Sequence, residues 1–87
     1  MAVMSMQITV GDFVKWRPVF ERNEPMRTAA GVTNPRIYRN ADNPSDILLW
    51  FDVANVTKAR EALGSQALKA AMQEAGVAGP PKVNFIE

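Results

Sequence analysis

The chain has 87 residues, 47% of them hydrophobic, and a formal net charge of +1 from 10 basic and 9 acidic side chains. That is the size of one small domain with a limited core. It has no Cys and no His, which excludes a disulfide, thiolate or imidazole metal ligands, a Ser–His–Asp relay and a His-ligated haem.

The balanced charge shows no basic stripe of the kind that binds nucleic acid. No apolar run reaches the length of a membrane span. The start, MAVMSMQITV, lacks the charged opening and the cleavage pattern of a signal peptide. With no Cys to point to an oxidising compartment, a cytoplasmic protein is expected. No metal and no cofactor are expected. Of the devices that stabilise small domains, a second copy of the chain is the one left.

In chain order, MSMQITV alternates, with Met4, Met6, Ile8 and Val10 on one side and Ser5, Gln7 and Thr9 on the other. This predicts a half-buried first strand, ended by Gly11. Asp12 is a good N-cap for a first helix running to Ala30. On that helix Phe13, Trp16 and Phe20 share a face, with Val19 and Met26 at its margin. Pro18 and Pro25 predict two bends, and Gly31 is placed just past the helix end.

VTNPRIYRNA predicts a second strand with an irregular edge at Pro35, DNPSD a turn, and DILLWFDVA a third strand antiparallel to the second. Asn55 caps a second helix, VTKAREAL, which Gly64–Ser65 interrupts. Ser65 caps its continuation, QALKAAMQEA, with Leu68, Ala71, Met72 and Ala75 inward. AGPPK reads as an extended connector and KVNFIE as a short last strand.

The order β-α-β-β-α-β predicts an α+β, ferredoxin-like domain spanning residues 1–87. It has a four-stranded antiparallel sheet with both broken helices on one face. The covered face carries Ile8, Val10, Ile37, Leu49, Phe51, Val53, Val83 and Phe85. The other carries Arg36, Tyr38, Leu48, Trp50, Asp52, Asn84 and Ile86. Tyr38, Leu48, Trp50 and Ile86 make that second face too apolar for water, in residue types enriched at interfaces. A two-fold homodimer, sheet against sheet, is expected, with Arg36, Tyr38, Leu48, Trp50 and Ile86 at its interface. Packing in a dimer accounts for Tyr38 and Trp50 better than stacking on a ligand does. Arg36 and Arg39 fall on opposite sides of their strand. One of them paired with Asp52 is an alternative to two solvated arginines, the simpler reading.

The stretches VGDFVKWRPVFE, AAGV, RIYRNADNPSDILLWFDV and KAREALGSQALKAAMQEAGVAGPPKVNFIE together resemble the dimeric α/β-barrel superfamily. Within it, they resemble the small antibiotic biosynthesis monooxygenase-like proteins. The resemblance covers nearly the whole chain. It implies a ferredoxin-like subunit, a barrel formed by two sheets, and a ligand held inside one subunit between helices and sheet. Some relatives oxidise polycyclic phenols or degrade haem without a conventional bound redox cofactor, using Asn and Trp with His or Tyr. This chain has no His. Gln7 and Thr9 stand where an Asn on the first strand would be expected in the haem-degrading type, so haem degradation is not implied.

For a ligand site, the first helix supplies Trp16, Phe20, Asn23 and Arg27 at helical spacing. Aromatic walls with a few convergent polar groups describe a small-ligand pocket. Arg27 would hold a carboxylate or phenolate in its planar fork, and Asn23 would orient a carbonyl or hydroxyl. The simpler alternative has Trp16 as a core side chain and Pro25 rotating the stripe, so that Met26 faces in and Arg27 snorkels outward.

NADNPSD lacks the glycine and distal Glu of a calcium loop, and no phosphate-binding glycine motif is present. DILLWFDV lacks the basic, glycine-containing start of an RNA-recognition strand. Three readings remain: a binder of a small flat or acidic ligand, a cofactor-independent monooxygenase acting on a phenol or quinol, and a structural module. A cavity beside Trp16 and Asn23 would favour the first two over the third.

Overall fold

The computed structural model describes residues 2–87. In chain order it contains β1 (Ala2–Val10), α1 (Phe13–Arg22), α2 (Glu24–Ala29), β2 (Val32–Arg39), β3 (Asp46–Val53), α3 (Val56–Leu63), α4 (Gln66–Glu74) and β4 (Val77–Ile86). The four strands form one antiparallel sheet in the order β2-β3-β1-β4. This is the ferredoxin-like arrangement, with each helix split in two. No helix among the described residues is long and apolar enough to cross a membrane.

Caps and breakers set the helix ends. Asp12 Oδ1 accepts from the backbone N–H of Val14 at 2.9 Å and of Lys15 at 3.4 Å. Asn55 and Ser65 do the same for α3 and α4, accepting from Lys58 at 3.0 Å and Leu68 at 3.2 Å. Each cap satisfies a donor that a helix start leaves without a partner.

α1 continues through Pro18 without a break and ends at Arg22. Pro18 costs the helix one bond, to the carbonyl of Val14, a residue 78% exposed on the solvent side. The interruption comes at Asn23, with φ −90° and ψ 9°. Pro25 then sits in the first turn of α2, where no donor is needed. Gly31 follows with φ +77°, and a Cβ there would meet the Ala54 Cβ at 3.4 Å. The left-handed backbone conformation favours glycine at this position; the Ala54 contact by itself is an ordinary one.

AGPPK is not a connector but part of β4, which extends from Val77 to Ile86. The reason is position. β4 is an edge strand, so Pro80 and Pro81 need not donate to a second neighbour. A register shift opposite Gln7–Thr9, with Gly79 at φ +72°, takes up the irregularity. The irregularity expected at Pro35 is present as a shift between Thr33 and Arg36, with Asn34 in the left-handed region at φ +53°.

Alternation decides the faces. Met4, Met6, Ile8 and Val10 of β1 and Ile47, Leu49, Phe51 and Val53 of β3 are buried, none more than 7% exposed, under Trp16, Ala59 and Ala75 from the helices. Ile37, Val83 and Phe85 pack half-buried at the margins. Burying each large aliphatic or aromatic side chain contributes roughly 1.5–3 kcal/mol.

The opposite face carries Tyr38 at 59%, Trp50 at 43% and Ile86 at 48% exposure, with Leu48 and Arg36 half-buried. Leu48 pairs with Tyr38 and Trp50 with Arg36. Ile86 does not join this group directly: β1 lies between β3 and β4, so Ile86 pairs with Val3, and Ser5 separates Trp50 from Asn84. Arg36 is not freely solvated. Its guanidinium donates to Asp52 at 3.2 Å, and Asn34 donates to the other oxygen at 3.0 Å. Those hydrogen bonds, Asn34 first and then Arg36, hold the Asp52 carboxyl below its ordinary pKa. Arg39 lies over the Phe13 ring at 4.4 Å and donates to the Pro44 carbonyl at 3.3 Å.

Candidate functional site

Between the helices and the covered sheet face lies a cavity of about 100 Å³. The sheet forms its floor through Met4, Met6, Ile8, Leu49 and Phe51. Side chains from α1 and α2 line one side, and α3 and α4 contribute Ala59, Leu63, Leu68 and Met72. Small residues keep it open: Ala59, Ala62, Ala71 and Ala75 stand where larger side chains would fill the space.

The four candidate residues Trp16, Phe20, Asn23 and Arg27 all border this cavity. Trp16 is 3% exposed. It stacks on Phe13 at 5.5 Å and on Phe20 at 4.8 Å between ring centroids, and Phe20 contacts Phe51 at 6.1 Å. Trp16 is therefore both a core side chain and a cavity wall.

The outward rotation of Arg27 does not occur. The Arg27 N–H donates to the Asn23 carbonyl at 3.2 Å, so helical spacing survives the break and the stripe continues into α2. Met26 and Arg27 both reach the cavity. The Arg27 guanidinium lies 3.8 Å from the Phe20 ring centroid and donates to the Phe20 carbonyl at 2.6 Å. Burial lowers its pKa from the ordinary guanidinium value, with Glu24 opposing the change; an arginine so far above neutrality stays charged. Among the described residues no carboxylate lies within 4.0 Å of it, and the ion pairs run elsewhere, Arg17–Glu21, Arg22–Glu74 and Arg36–Asp52. Asn23 turns its side-chain nitrogen back to the Val19 carbonyl at 2.8 Å.

The cavity thus presents one half-buried cation, one carboxamide and an otherwise apolar lining. Such a site holds a small molecule by area and orients it by a single charge. The reading from sequence did not assign the methionines to a cavity. Met4, Met6, Met26 and Met72, every methionine beyond Met1, line it. Their signal was inward placement on separate elements. Unbranched thioether side chains fill irregular gaps and yield to a guest.

No family model matches the sequence, and no curated protein does. Solved structures do match. A protein from Bordetella bronchiseptica, named as an antibiotic biosynthesis monooxygenase, superposes with a TM-score of 0.77 at 16% identity, over 99% of this chain and 95% of its own. The chain shares the ferredoxin-like fold of that structure. SnoaB from Streptomyces nogalater, a cofactor-independent oxygenase, superposes at 0.75 with 12% identity, over 99% of this chain and 90% of SnoaB. A Caulobacter crescentus protein of the same naming gives 0.69 at 14% identity, over 98% and 87%. These likenesses bear on the course of the backbone; the chemistry rests on the side chains above.

Proposed function

We propose that this protein binds a small, flat, acidic molecule in the cavity between helices and sheet. The observation that carries the reading is Arg27, a half-buried guanidinium beside an aromatic wall, with no carboxylate within 4.0 Å among the described residues and only Glu24 acting on it from further away. A half-buried charge with no counter-charge in contact costs free energy, and an anionic ligand offsets that cost. Trp16, Phe20 and Phe51 supply the aromatic surface, and the methionines adapt to its outline. Trp16 also provides the assay. In a Trp50→Phe background its fluorescence reports binding directly, with benzoate as the first probe. Quenching that saturates, and an affinity at least tenfold weaker in Arg27→Met, support the reading. Unchanged emission up to millimolar benzoate sinks it.

A second reading is favoured by the likeness to SnoaB: oxygenation of a bound phenol without a cofactor. In a balanced form, a phenol takes one atom of O₂, releases the other as water and becomes a quinone, supplying all four electrons itself. Arg27 would stabilise the phenolate, the electron-rich form that reacts with O₂. Oxygen uptake with a phenol or quinol, lost in Asn23→Ala or Trp16→Phe, separates an enzyme from a binder.

We also propose that a second copy of the chain covers the outer sheet face. Tyr38, Leu48 and Trp50, with Val3 and Ile86 across the sheet, give it apolar area. The Arg36–Asp52 pair leaves its centre without net charge, so two like faces meet without repulsion.

A further inference from the structure

We infer that α2, Glu24–Ala29, is a lid on the cavity, hinged at both ends and latched to α1 by the Arg27 side chain. Its use as a gate rests on the binding reading above; its looseness belongs to the free protein and needs no ligand.

Size requires that some wall give way. An apolar cavity of about 150 Å³ holds benzene, and this one is about 100 Å³. An aromatic guest enters only if part of the lining moves, and the element with the fewest ties moves most easily.

α2 is that element. It buries no residue: Met26 and Arg27 are half-buried and line the cavity, while Glu24, Pro25, Thr28 and Ala29 are exposed. The helical ladder of α1 stops at Asn23, whose backbone N–H is shared between the Val19 and Phe20 carbonyls, both at 3.3 Å. Among the described residues no i→i−4 backbone bond crosses from α2 into α1. Asn23 gives α2 no side-chain cap, because its amide donates to the Val19 carbonyl at 2.8 Å instead. Pro25 has no backbone donor and disfavours helical backbone at Glu24, so the near hinge has an extended alternative within reach. The far hinge is Gly31, at φ +77°, whose carbonyl is fixed by the Ala54 N–H at 3.0 Å.

α4 makes the contrast. It too buries no residue within its own span, yet it is tied at both ends. The Ser65 hydroxyl donates to the Ala62 carbonyl at 2.7 Å and accepts from the Leu68 N–H at 3.2 Å. Ala75 is 7% exposed, and the Gly76 carbonyl accepts from the Gly11 N–H at 3.2 Å. Glu74 pairs with Arg22 of α1.

For α2, one side-chain hydrogen bond among the described residues reaches another element. The Arg27 guanidinium donates to the Phe20 carbonyl at 2.6 Å and lies 3.8 Å from the Phe20 ring centroid. This is the latch. A guanidinium has five donors, so an anion taking those left over ties the lid to the guest as well as to Phe20, and binding closes it.

Native-state amide hydrogen exchange followed by NMR tests the lid on the free protein. Arg27 and Lys69 make equivalent first bonds, to the cap carbonyls of Asn23 and Ser65, both at 3.2 Å; Ala30 and Ala75 make equivalent last bonds. Protection factors at residues 27 and 30 should be at least tenfold lower than at 69 and 75. Arg27→Met should lower them at least fivefold further, with 69 and 75 within about twofold of wild type. Pro25→Ala, which frees Glu24 to stay helical, should raise them. Equal protection of the two helices in the wild type overturns the lid, and a loss in Arg27→Met shared equally by both helices overturns the latch. Millimolar benzoate should raise protection at 27 and 30 at least tenfold; benzoate that quenches Trp16 and leaves these amides unchanged counts against the lid alone. Trp16 emission indifferent to benzoate ends the binding reading, and the wild-type contrast between α2 and α4 still decides the lid, even if a variant fails to fold.

Discussion

Replacing Ile47 by Ala measures how much of this small fold depends on the covered sheet face. Ile47 is 0% exposed and pairs with Ile8 in the middle of the sheet. It is not among the cavity-lining residues, so the change reports packing rather than ligand binding. The substitution removes about three methylene equivalents, roughly 2.4 kcal/mol at ~0.8 kcal/mol each. The void left behind adds about 24 cal/mol per Å³ that neighbours do not refill. A remaining void of ~50 Å³ brings the loss to about 3.6 kcal/mol, inside the range of 2–5 observed for such changes. A chain of 87 residues has a total stability of about 4–13 kcal/mol at typical values per residue. The variant should therefore sit near the edge of folding. Urea unfolding followed by far-UV circular dichroism should show a midpoint lowered by roughly 2–3 M if the slope is ~1.5 kcal/mol per M. Ile47→Val, losing one methylene, should cost about 0.5–1.5 kcal/mol and keep the measurement in range if the alanine variant unfolds. A loss below about 1 kcal/mol for Ile47→Ala would show that β3 does not bury this side, and the assignment of sheet faces would fail.

Trp50→Ala tests the other face. If a second copy covers it, sizing with light scattering should show a dimer for the wild type, and the variant's dissociation constant should rise at least about 30-fold, as for a central interface aromatic. A wild-type monomer at micromolar concentration ends the dimer proposal. Asp52 has a pH signature. Its folded pKa lies below the ordinary value of 3.8, so its contribution to stability is present above that pH and is lost as pH falls through the lower, folded value. Asp52→Asn should remove this component, flattening acid unfolding below pH 3.8; an unchanged acid limb in the variant contradicts the Asn34 and Arg36 hydrogen bonds.

Much of the fold was legible because period and punctuation agree. Strict alternation through Met4–Val10 tells which side of β1 is dry; β3, apolar at every position from Ile47 to Phe51, takes its dry side from its pairing with β1. Asp12, Asn55 and Ser65 mark helix starts because their side chains accept from free backbone donors. Pro80–Pro81 were misread as a connector because the cost of a proline depends on place. Pro18 frees a carbonyl that faces solvent, and Pro80–Pro81 lie on a strand with a neighbour on one side only. Neither fact is local. Asn23 and Arg27 were recognisable as polar residues on an aromatic stripe. Whether that stripe survived Pro25 depended on the backbone bond from Arg27 to Asn23.

By itself the amino-acid order determined the elements, their sequence along the chain, and the burial of alternate side chains, because propensity, capping and hydrophobic period act within a few residues. Tertiary structure decided the rest. Strand order β2-β3-β1-β4 sets Ile86 beside Val3 rather than Trp50. Packing of the split helices over the sheet leaves a cavity between alanines and methionines and turns Arg27 into it with no carboxylate within 4.0 Å among the described residues. Such features arise where distant segments meet, and their geometry depends on how whole elements fill space against one another.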